Sequence, residues 1–290
     1  MVWQQIRIRT DDTNVDAIEA HCIDLGAVAI TLEDAGDAPL LEPAPGETPL
    51  WQELTLTAMF DADANTDALC STLEGHGVER AAMACETVAE RDWQNEWLRD
   101  FAARNVGPRL RIVGSHQHEP DDDRIRIVLD PGLAFGTGGH TTTELALEWL
   151  QQESVAGCHV LDMGCGSGIL AIAALKLGAA SACGVDIDPQ AVDASVRNAE
   201  INGVAARLRT HLGAAAPEQP YDVVVANILA NTLDEMAPAL ATRTRPQGRI
   251  ALTGVLPAQA DALAARYDEW FDMAPIEQRA GWVLLSGRRR

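Results

Sequence analysis

Hydrophobic and polar positions follow two different rhythms along this chain, and the change comes near residue 104. Before it, runs of alternating polarity, which predict strands, flank runs whose apolar residues recur at helical spacing. The patterns predict strands at 2–9, 27–33, 51–60 and 79–89, and helices at about 15–25 and 65–73. The resulting βαββαβ order is typical of the ferredoxin-like arrangement. We therefore expect a small α+β domain in this part of the chain.

After residue 104, strands and helices are predicted to alternate. The predicted strands lie at 109–114, 124–130, 158–162, 181–186, 221–227 and 248–253, and the helices at 140–151, 167–177, 189–202, 229–241 and 257–266. Two extended runs, 271–278 and 281–287, follow each other so closely that they should pair antiparallel. This order predicts a doubly wound α/β sheet with an antiparallel edge. Ligands bind such sheets at the carboxyl ends of the parallel strands.

A short amphipathic segment separates the two patterns. Trp93, Trp97 and Phe101 recur at helical spacing within 91–102, either as an aromatic seam between domains or as ordinary core residues. The sequence thus predicts a first domain at 1–90, a linker helix at 91–104 and a second domain at 105–290.

The charge is strongly negative and unevenly distributed. The chain has 290 residues, with 22 Lys and Arg against 43 Asp and Glu, a net charge of −21. This acidity argues against a protein that binds nucleic-acid phosphates or anionic lipid. Residues 1–100 contain only five Arg, no Lys and 21 acidic residues. Such an acidic segment either keeps the protein soluble or docks a basic partner.

No targeting or metal-binding pattern is visible. The first ten residues, MVWQQIRIRT, lack the apolar core of a secretory signal, and the longest apolar run is too short to span a bilayer. The six cysteines form no C-x-x-C pair and lie near no cluster of histidines. We therefore expect reduced thiols, no metal site and a cytoplasmic protein.

A glycine-rich segment follows one of the predicted apolar strands. The strand ends at Asp162, and Gly164, Gly166 and Gly168 stand at alternate positions before an apolar helix. Glycines there let the backbone turn tightly and let a ligand approach without a Cβ in the way. Asp186 ends the next strand, 20 residues after Gly166. That spacing suits a carboxylate that accepts hydrogen bonds from the ribose hydroxyls of a nucleoside.

The order of the glycines distinguishes between two cofactors. Dinucleotide-binding proteins carry G-x-G-x-x-G, which points a helix N-terminus at a pyrophosphate. This chain has G-x-G-x-G, with Asp162 two residues before the first glycine, where a carboxylate would repel a phosphate. A ligand with an ammonium and a sulfonium group suits that carboxylate. The pattern therefore favours S-adenosyl-L-methionine over NAD.

The predicted strand at 221–227 ends in Asn227. Methyltransferases that modify planar nitrogens usually continue from this position with a proline pair and an aromatic residue, whereas Ile228, Leu229 and Ala230 follow here. This departure weighs against a base or a side-chain amide as the methyl acceptor and leaves room for a flexible alkyl amine.

Several longer runs resemble one known family over essentially the whole chain. They are LDPGLAFGTGGHTTTELALEWL (129–150), GCGSGILAIAALKLGA (164–179), VDIDPQAVDASVRNAEINGV (185–204), VVVANILA (223–230), RDWQNEW (91–97) and EPAPGETPLW (42–51). The chain thereby resembles the PrmA family of ribosomal protein L-eleven methyltransferases. The resemblance implies a class I methyltransferase domain with a seven-stranded sheet, preceded by a ferredoxin-like substrate-recognition domain. It also implies methylation of lysine ε-amines and the N-terminal α-amine of one large-subunit ribosomal protein.

The resemblance also implies particular cofactor contacts. The family's contacts correspond to Thr143, Gly164, Asp186 and Asn227 here, and Phe135 in the second glycine-rich loop resembles a further one. The motif glycines Gly166 and Gly168 complete the expected cofactor-binding set. No catalytic base is assigned, because a lone residue such as His140 beside a glycine loop is as often structural as catalytic.

Three alternatives remain open at this stage. The first is a lysine methyltransferase of the same fold that acts on another protein or a small amine. The second is an NAD-dependent oxidoreductase, against which the glycine order speaks. The third is an RNA-binding module, against which the acidity and the lack of paired aromatic residues speak. The expected partner is a basic ribosomal protein, free or on the large subunit, bound by a monomer with no direct nucleic-acid specificity.

Overall fold

The computed structural model describes residues 2–36, 50–89, 102–115, 117, 123–129, 138–213, 217 and 219–290. The chain divides into two compact units, Met1–Trp93 and Gln94–Arg290. Each unit has its own sheet and core and is described by itself below. The predicted linker helix at 91–104 lies almost entirely outside the described residues.

The first unit contains one antiparallel sheet and two helices. The strands are β1 (Val2–Asp11), β2 (Ala29–Asp34), β3 (Glu53–Phe60) and β4 (Met83–Ala89), and the helices are α1 (Val15–Asp24) and α2 (Thr66–Gly75). The sheet order is β2-β3-β1-β4, and every neighbouring pair is antiparallel. This order is the ferredoxin-like one that the sequence pattern predicts.

Alternation along the strands places the core of this unit on one face of the sheet. Ile6 and Ile8 of β1 pair with Ala58 and Leu56 of β3, and all four are fully buried. Both helices pack their apolar residues on this face. Because successive side chains of a strand point to opposite faces, the other face of the sheet carries polar residues such as Arg7.

The caps of the two helices differ. Asn65 caps α2, since its side chain accepts a hydrogen bond from Ala68 N at 3.1 Å. Asn14 occupies the N-cap of α1 without a side-chain cap, and Asp11 Oδ1 instead accepts hydrogen bonds from the backbone of Thr13 and Asn14, both at 3.0 Å. An Asx turn therefore starts α1. The Thr13 side chain also donates to Asp11 Oδ1, and this hydrogen bond is the main reason why the pKa of Asp11 lies below its usual value.

The second unit has eleven strands and five helices among its described residues. In chain order they are β5 (Arg104–Val106), β6 (Leu110–Gly114), β7 (Ile125–Leu129), α3 (Thr141–Gln152), β8 (His159–Met163), α4 (Ile169–Lys176), β9 (Ser181–Asp186), α5 (Pro189–Ile201), β10 (Leu208–Leu212), β11 (Tyr221–Asn227), α6 (Ala230–Arg243), β12 (Thr244–Val255), α7 (Pro257–Tyr267), β13 (Phe271–Met273), β14 (Glu277–Arg279) and β15 (Trp282–Arg289).

The large sheet has the expected doubly wound topology. Its order is β10-β9-β8-β11-β12-β15-β13, a path of seven strands, and β14 pairs with β15 beside it. The first five strands are parallel, and β15 runs antiparallel to both neighbours on the path. Ala280 and Gly281, both with positive φ, form the tight turn between β14 and β15. The predicted antiparallel edge is thereby confirmed.

Four strands depart from the sequence prediction. β6 pairs with β7 on one side and with β5 on the other, and the three form a separate sheet. β5 and the edge strand β10 were not predicted, because each is short and has polar residues at most positions. Such strands are defined by pairing with a neighbour rather than by their own periodicity.

The helix after the glycine motif and the central strand β11 are almost completely buried. All residues of α4 from Ile169 to Leu175 are buried, and six of the seven residues of β11 are buried. Strands covered by helices on both faces are apolar throughout, as parallel strands usually are. No helix in the described part of the chain is long and apolar enough to cross a membrane.

Candidate active site

The glycine motif forms a tight turn between β8 and α4. Gly164, Gly166 and Gly168 have φ values of 74°, 53° and 78°, a region that favours glycine. The backbone N–H groups of Gly164 and Cys165 both donate to Val185 O, at 2.8 and 3.0 Å, and attach the turn to β9. An added Cβ on Gly164 would collide with the side chain of Ile228. The turn therefore exposes backbone at the carboxyl end of the sheet.

Asp162, the acidic residue before the turn, is completely buried. Its Oδ2 accepts a hydrogen bond from Ala171 N, in the first turn of α4, at 3.0 Å. Its Oδ1 has no hydrogen-bond partner among the described residues. Burial raises the pKa of Asp162 to about 7, although the Ala171 hydrogen bond lowers it, and the charge of Asp186 raises it further. A buried carboxylate oxygen without a partner is costly, and a cationic ligand removes that cost.

Asp186 lies beside the turn, as its spacing predicts. Its Oδ2 accepts a hydrogen bond from Gly166 N at 2.9 Å, and its Oδ1 accepts one from Asp188 N at 3.0 Å. Each carboxylate oxygen can accept further hydrogen bonds. The next residue, Ile187, is 88 % exposed, so a carboxylate and an apolar surface stand together at the end of β9.

Thr143 and Asn227, predicted as separate contacts, are directly bonded to each other. Asn227 Nδ2, at the end of β11, donates to Thr143 Oγ1, in the first turn of α3, at 3.2 Å. The two residues are 84 positions apart in the chain. Thr143 is 1 % exposed and Asn227 is half-buried. The fold thus joins the helix after the second glycine-rich loop to the end of the central strand.

A row of polar side chains on α5 supports the glycine turn, and sequence reasoning did not identify it. Ser195 Oγ donates to Gly166 O at 2.9 Å, and Asn198 Nδ2 donates to Ser167 O at 2.9 Å. Both side chains are at most 1 % exposed. Asn202 continues the row, since its side chain exchanges two hydrogen bonds with the backbone of Val128 in β7. These residues could have been identified in the sequence as three small polar residues spaced along the otherwise apolar face of an alanine-rich helix.

His140 begins α3 and is held in place by its neighbours. Its Nδ1 lies 2.7 Å from Thr142 Oγ1, and its ring meets the edge of Trp282 at a centroid distance of 4.8 Å. These contacts are those of a helix cap and a packing residue. They give His140 no assignment as a catalytic base.

The remaining predictions for the site differ in their outcome. Phe135 lies outside the described residues, as do the other residues at 130–137 of the second glycine-rich loop. Gly138 closes that segment at a φ of 79°, where an added Cβ would lie 2.5 Å from Ile112 Cδ1. In the described ranges, no group of three or more His, Cys, Asp or Glu side chains could hold a metal ion.

The family model, the relatives and the solved structure that match this chain all point to one family. Residues 2–290 match the family described as ribosomal protein L11 methyltransferase (PrmA). A protein of Azotobacter vinelandii with that name is 48 % identical over 292 residues, with 100 % of both chains covered. One of Hahella chejuensis is 46 % identical over 289 residues, covering 100 % of this chain and 99 % of the other. The crystal structure of a ribosomal protein L11 methylase from Lactobacillus delbrueckii subsp. bulgaricus is 31 % identical, with a TM-score of 0.59 over 65 % of this chain and 97 % of that chain.

Proposed function

Because the chain belongs to the ribosomal protein L11 methyltransferase (PrmA) family, we propose that it transfers methyl groups from S-adenosyl-L-methionine to amines of ribosomal protein L11. The acceptors that the resemblance implies are lysine ε-amines and the N-terminal α-amine. The observation that carries the proposal is the buried carboxylate of Asp162, which keeps one oxygen for a cationic group beside the glycine turn.

The residues around the turn fit S-adenosyl-L-methionine. Asp162 Oδ1 would accept a hydrogen bond from the ammonium group, and Asp186 would accept hydrogen bonds from the ribose hydroxyls. The exposed side chain of Ile187 offers an apolar surface to the purine. When bound, this cofactor supplies a methyl group on a sulfonium, which is a good leaving group. The protein therefore has to position the acceptor amine and exclude water.

The end of β11 suits an alkyl amine as the acceptor. Asn227 uses its Nδ2 to hold Thr143, and its Oδ1 can accept a hydrogen bond from an amine N–H and so orient the amine's lone pair. Ile228 lies against the glycine turn, and Leu229 is 57 % exposed. These side chains offer apolar contact to an alkyl chain and no aromatic surface on which a planar base or amide would stack.

The acceptor must lose a proton before it can attack. An alkyl ammonium has an ordinary pKa of roughly 10.4, and only the neutral amine has a lone pair. Removal from water beside a sulfonium cation lowers that pKa, because the charged form loses its solvation and meets a like charge. Proton loss to water then needs no dedicated base. The contacts of His140 with Thr142 and Trp282 agree with a structural role for that histidine.

We further propose that the first unit binds the basic substrate protein. α1 contains Asp16, Glu19 and Asp24 and no Lys or Arg, and α2 contains two acidic residues and no Lys or Arg. The opposite face of the sheet carries the arginines of β1, and Arg7 lies 3.8 Å from Glu33. The acidic residues of α1 favour docking of a basic protein on the helical side.

Transfer of label from S-adenosyl-L-methionine tests the main proposal. The chain is incubated with labelled cofactor and either undermethylated ribosomes or free L11. We expect label in L11, on lysine ε-amines and on the α-amine, and at least tenfold less with Asp162→Asn. Label on a different protein would favour a methyltransferase of the same fold with another protein substrate, and label on RNA would overturn the proposal. Calorimetry with S-adenosyl-L-methionine and with NAD separates the methyltransferase from an oxidoreductase.

A further inference from the structure

Two cysteines of the first unit lie in contact with each other. Cys70 in α2 is 1 % exposed, and its Sγ lies 3.2 Å from the Sγ of Cys85 in β4. Cys85 is exposed, so one sulfur of the pair is open to solvent while the other is covered. A disulfide bond is about 2.0 Å long, so the two atoms need to approach by only about 1.2 Å to bond.

The other four cysteines have different surroundings. Cys22, Cys165 and Cys183 are buried, and burial raises the pKa of the Cys22 thiol to about 11 and that of Cys165 to about 12. Such thiols are protonated and shielded from reagents. Cys158 is half-buried, and its Sγ accepts a hydrogen bond from Arg249 Nη2 at 3.4 Å, but no second thiol lies beside it among the described residues. Cys85 is thus the one exposed cysteine of the six, and it has a second thiol beside it.

Arg80 supplies positive charge next to this thiol pair. Its guanidinium is hydrogen-bonded to Cys70 and lies close to Cys85, and Asp67 and Glu74 of α2 hold it at 3.5 and 3.7 Å. Burial raises the pKa of Cys70 to about 11, contact with Cys85 acts in the same direction, and Arg80 acts against both. Cys70 therefore keeps its proton at neutral pH and can donate it to the neighbouring sulfur.

We propose that Cys70 and Cys85 are a reversible dithiol–disulfide site, oxidised by a peroxide through the exposed Cys85 thiol. The Cys85 thiolate attacks a peroxide oxygen, the O–O bond breaks, and a sulfenic acid and hydroxide form. The hydroxide takes the Cys70 proton and becomes water. The Cys70 thiolate then attacks the Cys85 sulfur, the S–S bond forms, and the S–O bond breaks to release a second hydroxide, which is protonated to water. Two thiols and one hydrogen peroxide give one disulfide and two waters.

The disulfide would connect a helix to the edge strand that follows it. The two cysteines are 15 residues apart, and Arg80 lies in the turn between them. Cytoplasmic reductants return an exposed disulfide to thiols, so this site is a transient modification rather than a structural cross-link. Nothing in this chemistry needs the methyl donor or the substrate protein.

Peroxide treatment of the full chain tests the proposal. After treatment, free thiols are alkylated under denaturing conditions and the intact mass is measured. We expect four of the six thiols to react, and all six after dithiothreitol. Cleavage after arginine places Cys70 in peptide 10–80 and Cys85 in peptide 81–91, so the two peptides should be joined only in the unreduced sample.

Matched variants make the outcome decisive. Cys22 shares the 10–80 peptide, so Cys22→Ala should keep the linkage, whereas Cys70→Ser and Cys85→Ser should each abolish it. In Cys70→Ser, Cys85 should stop at a sulfenic acid that dimedone traps. Oxidation of Cys85 beyond the sulfenic acid while Cys70 stays free, linkage through Cys22, or six free thiols at peroxide levels that modify Cys70→Ser would each overturn the proposal. Methyl transfer is measured separately, so its loss or retention does not enter this result.

Discussion

The carboxylate of Asp162 is fully buried at the end of β8, with a pKa raised to about 7 mainly by that burial. The folded pKa lies above the unfolded value of about 3.8, so the folded state holds the proton more tightly. The stability that this group contributes is therefore greatest below about pH 4 and falls as the pH rises towards 7. Above pH 7 the charged carboxylate costs on the order of 4 kcal/mol.

Asp162→Asn should stabilise the fold and weaken cofactor binding. The amide keeps an acceptor for Ala171 N and removes the buried charge, although its NH2 group lacks a partner at a cost of about 2 kcal/mol. We expect the free energy of unfolding at pH 8 to rise by about 2 kcal/mol and to change little at pH 5, where the carboxyl group is mostly protonated in the folded state. The affinity for S-adenosyl-L-methionine should fall by about 10- to 100-fold. Denaturant titration and calorimetry measure the two effects.

Asp222 provides the matched control for this substitution. It is also buried, but it accepts a hydrogen bond from His159 N at 2.6 Å and is paired with Arg245. It lies near the start of β11, at the other end of the parallel strands from the glycine turn. Asp222→Asn should therefore destabilise the fold and leave cofactor affinity unchanged. A loss of stability at pH 8 in both variants would contradict the role given to Asp162.

The bond between Asn227 and Thr143 predicts a measurable coupling. Thr143→Val keeps the volume and removes the acceptor, so Asn227 is no longer held in place. We expect the Kd for the cofactor to rise about tenfold in either Thr143→Val or Asn227→Ala. The loss of binding free energy in the double variant should be about 1 kcal/mol smaller than the sum of the two single losses. Thr244→Val, a buried threonine that bonds Leu240 O, should lower stability without changing the Kd. Additive effects of the pair would show that the two side chains act independently.

At the scale of an element, α5 carries the support of the glycine turn. Ser195, Asn198 and Asn202 face inward and bond carbonyl groups of the turn and of β7, while the outer face of the helix is polar or exposed. The helix therefore connects two backbone segments that lead to the proposed cofactor site. Its effect on the ligand is indirect, through the position of the backbone.

Ser195→Ala tests this role of α5. The variant removes the donor to Gly166 O and leaves that carbonyl unpaired, which costs about 1 kcal/mol in stability. We expect the Kd for the cofactor to rise three- to tenfold while the turnover of bound substrate stays unchanged. Val196→Ala, on the exposed side of the same helix, should change neither quantity. A fall in turnover with an unaltered Kd would be incompatible with a positioning role.

At the scale of the whole molecule, the division of charge between the two units predicts a salt dependence. With 21 acidic residues against five Arg in residues 1–100, attraction of a basic substrate weakens as salt screens the charges. We expect the KM for L11 to rise severalfold between low and physiological ionic strength, while the Kd for the cofactor changes little. Methylation kinetics over a salt series measures this.

Neutralising matched sets of exposed acidic residues shows which unit attracts the basic substrate protein. The first set is Asp12→Asn, Asp24→Asn and Asp63→Asn in the first unit, and the control set is Asp193→Asn, Glu235→Gln and Asp261→Asn in the second. All six side chains are exposed, so neither set should alter folding. The first set should raise the KM and flatten its salt dependence, and the control set should not. Equal effects of the two sets would show that only net charge matters.

Much of the fold could be predicted because it follows from local periodicity. The alternation of β1 and the buried run of β11 each depend on residues close in the chain. β10 escaped prediction because an edge strand with polar residues is stabilised by its neighbour β9 rather than by its own pattern. The separate pairing of β6 and β7 also depends on contacts that periodicity does not report.

The sequence by itself determined the order of most elements, the glycine turn and the carboxylates at its two sides, because spacing and residue type are local properties. Only the tertiary structure decided which remote groups meet. It joined Thr143 to Asn227, set Ser195 against the turn, and brought Cys70 to Cys85. It also left one oxygen of Asp162 without a partner among the residues that the structure describes, and it raised the pKa of this carboxyl group. The physical reason is that desolvation and hydrogen-bond partners depend on packing between distant segments.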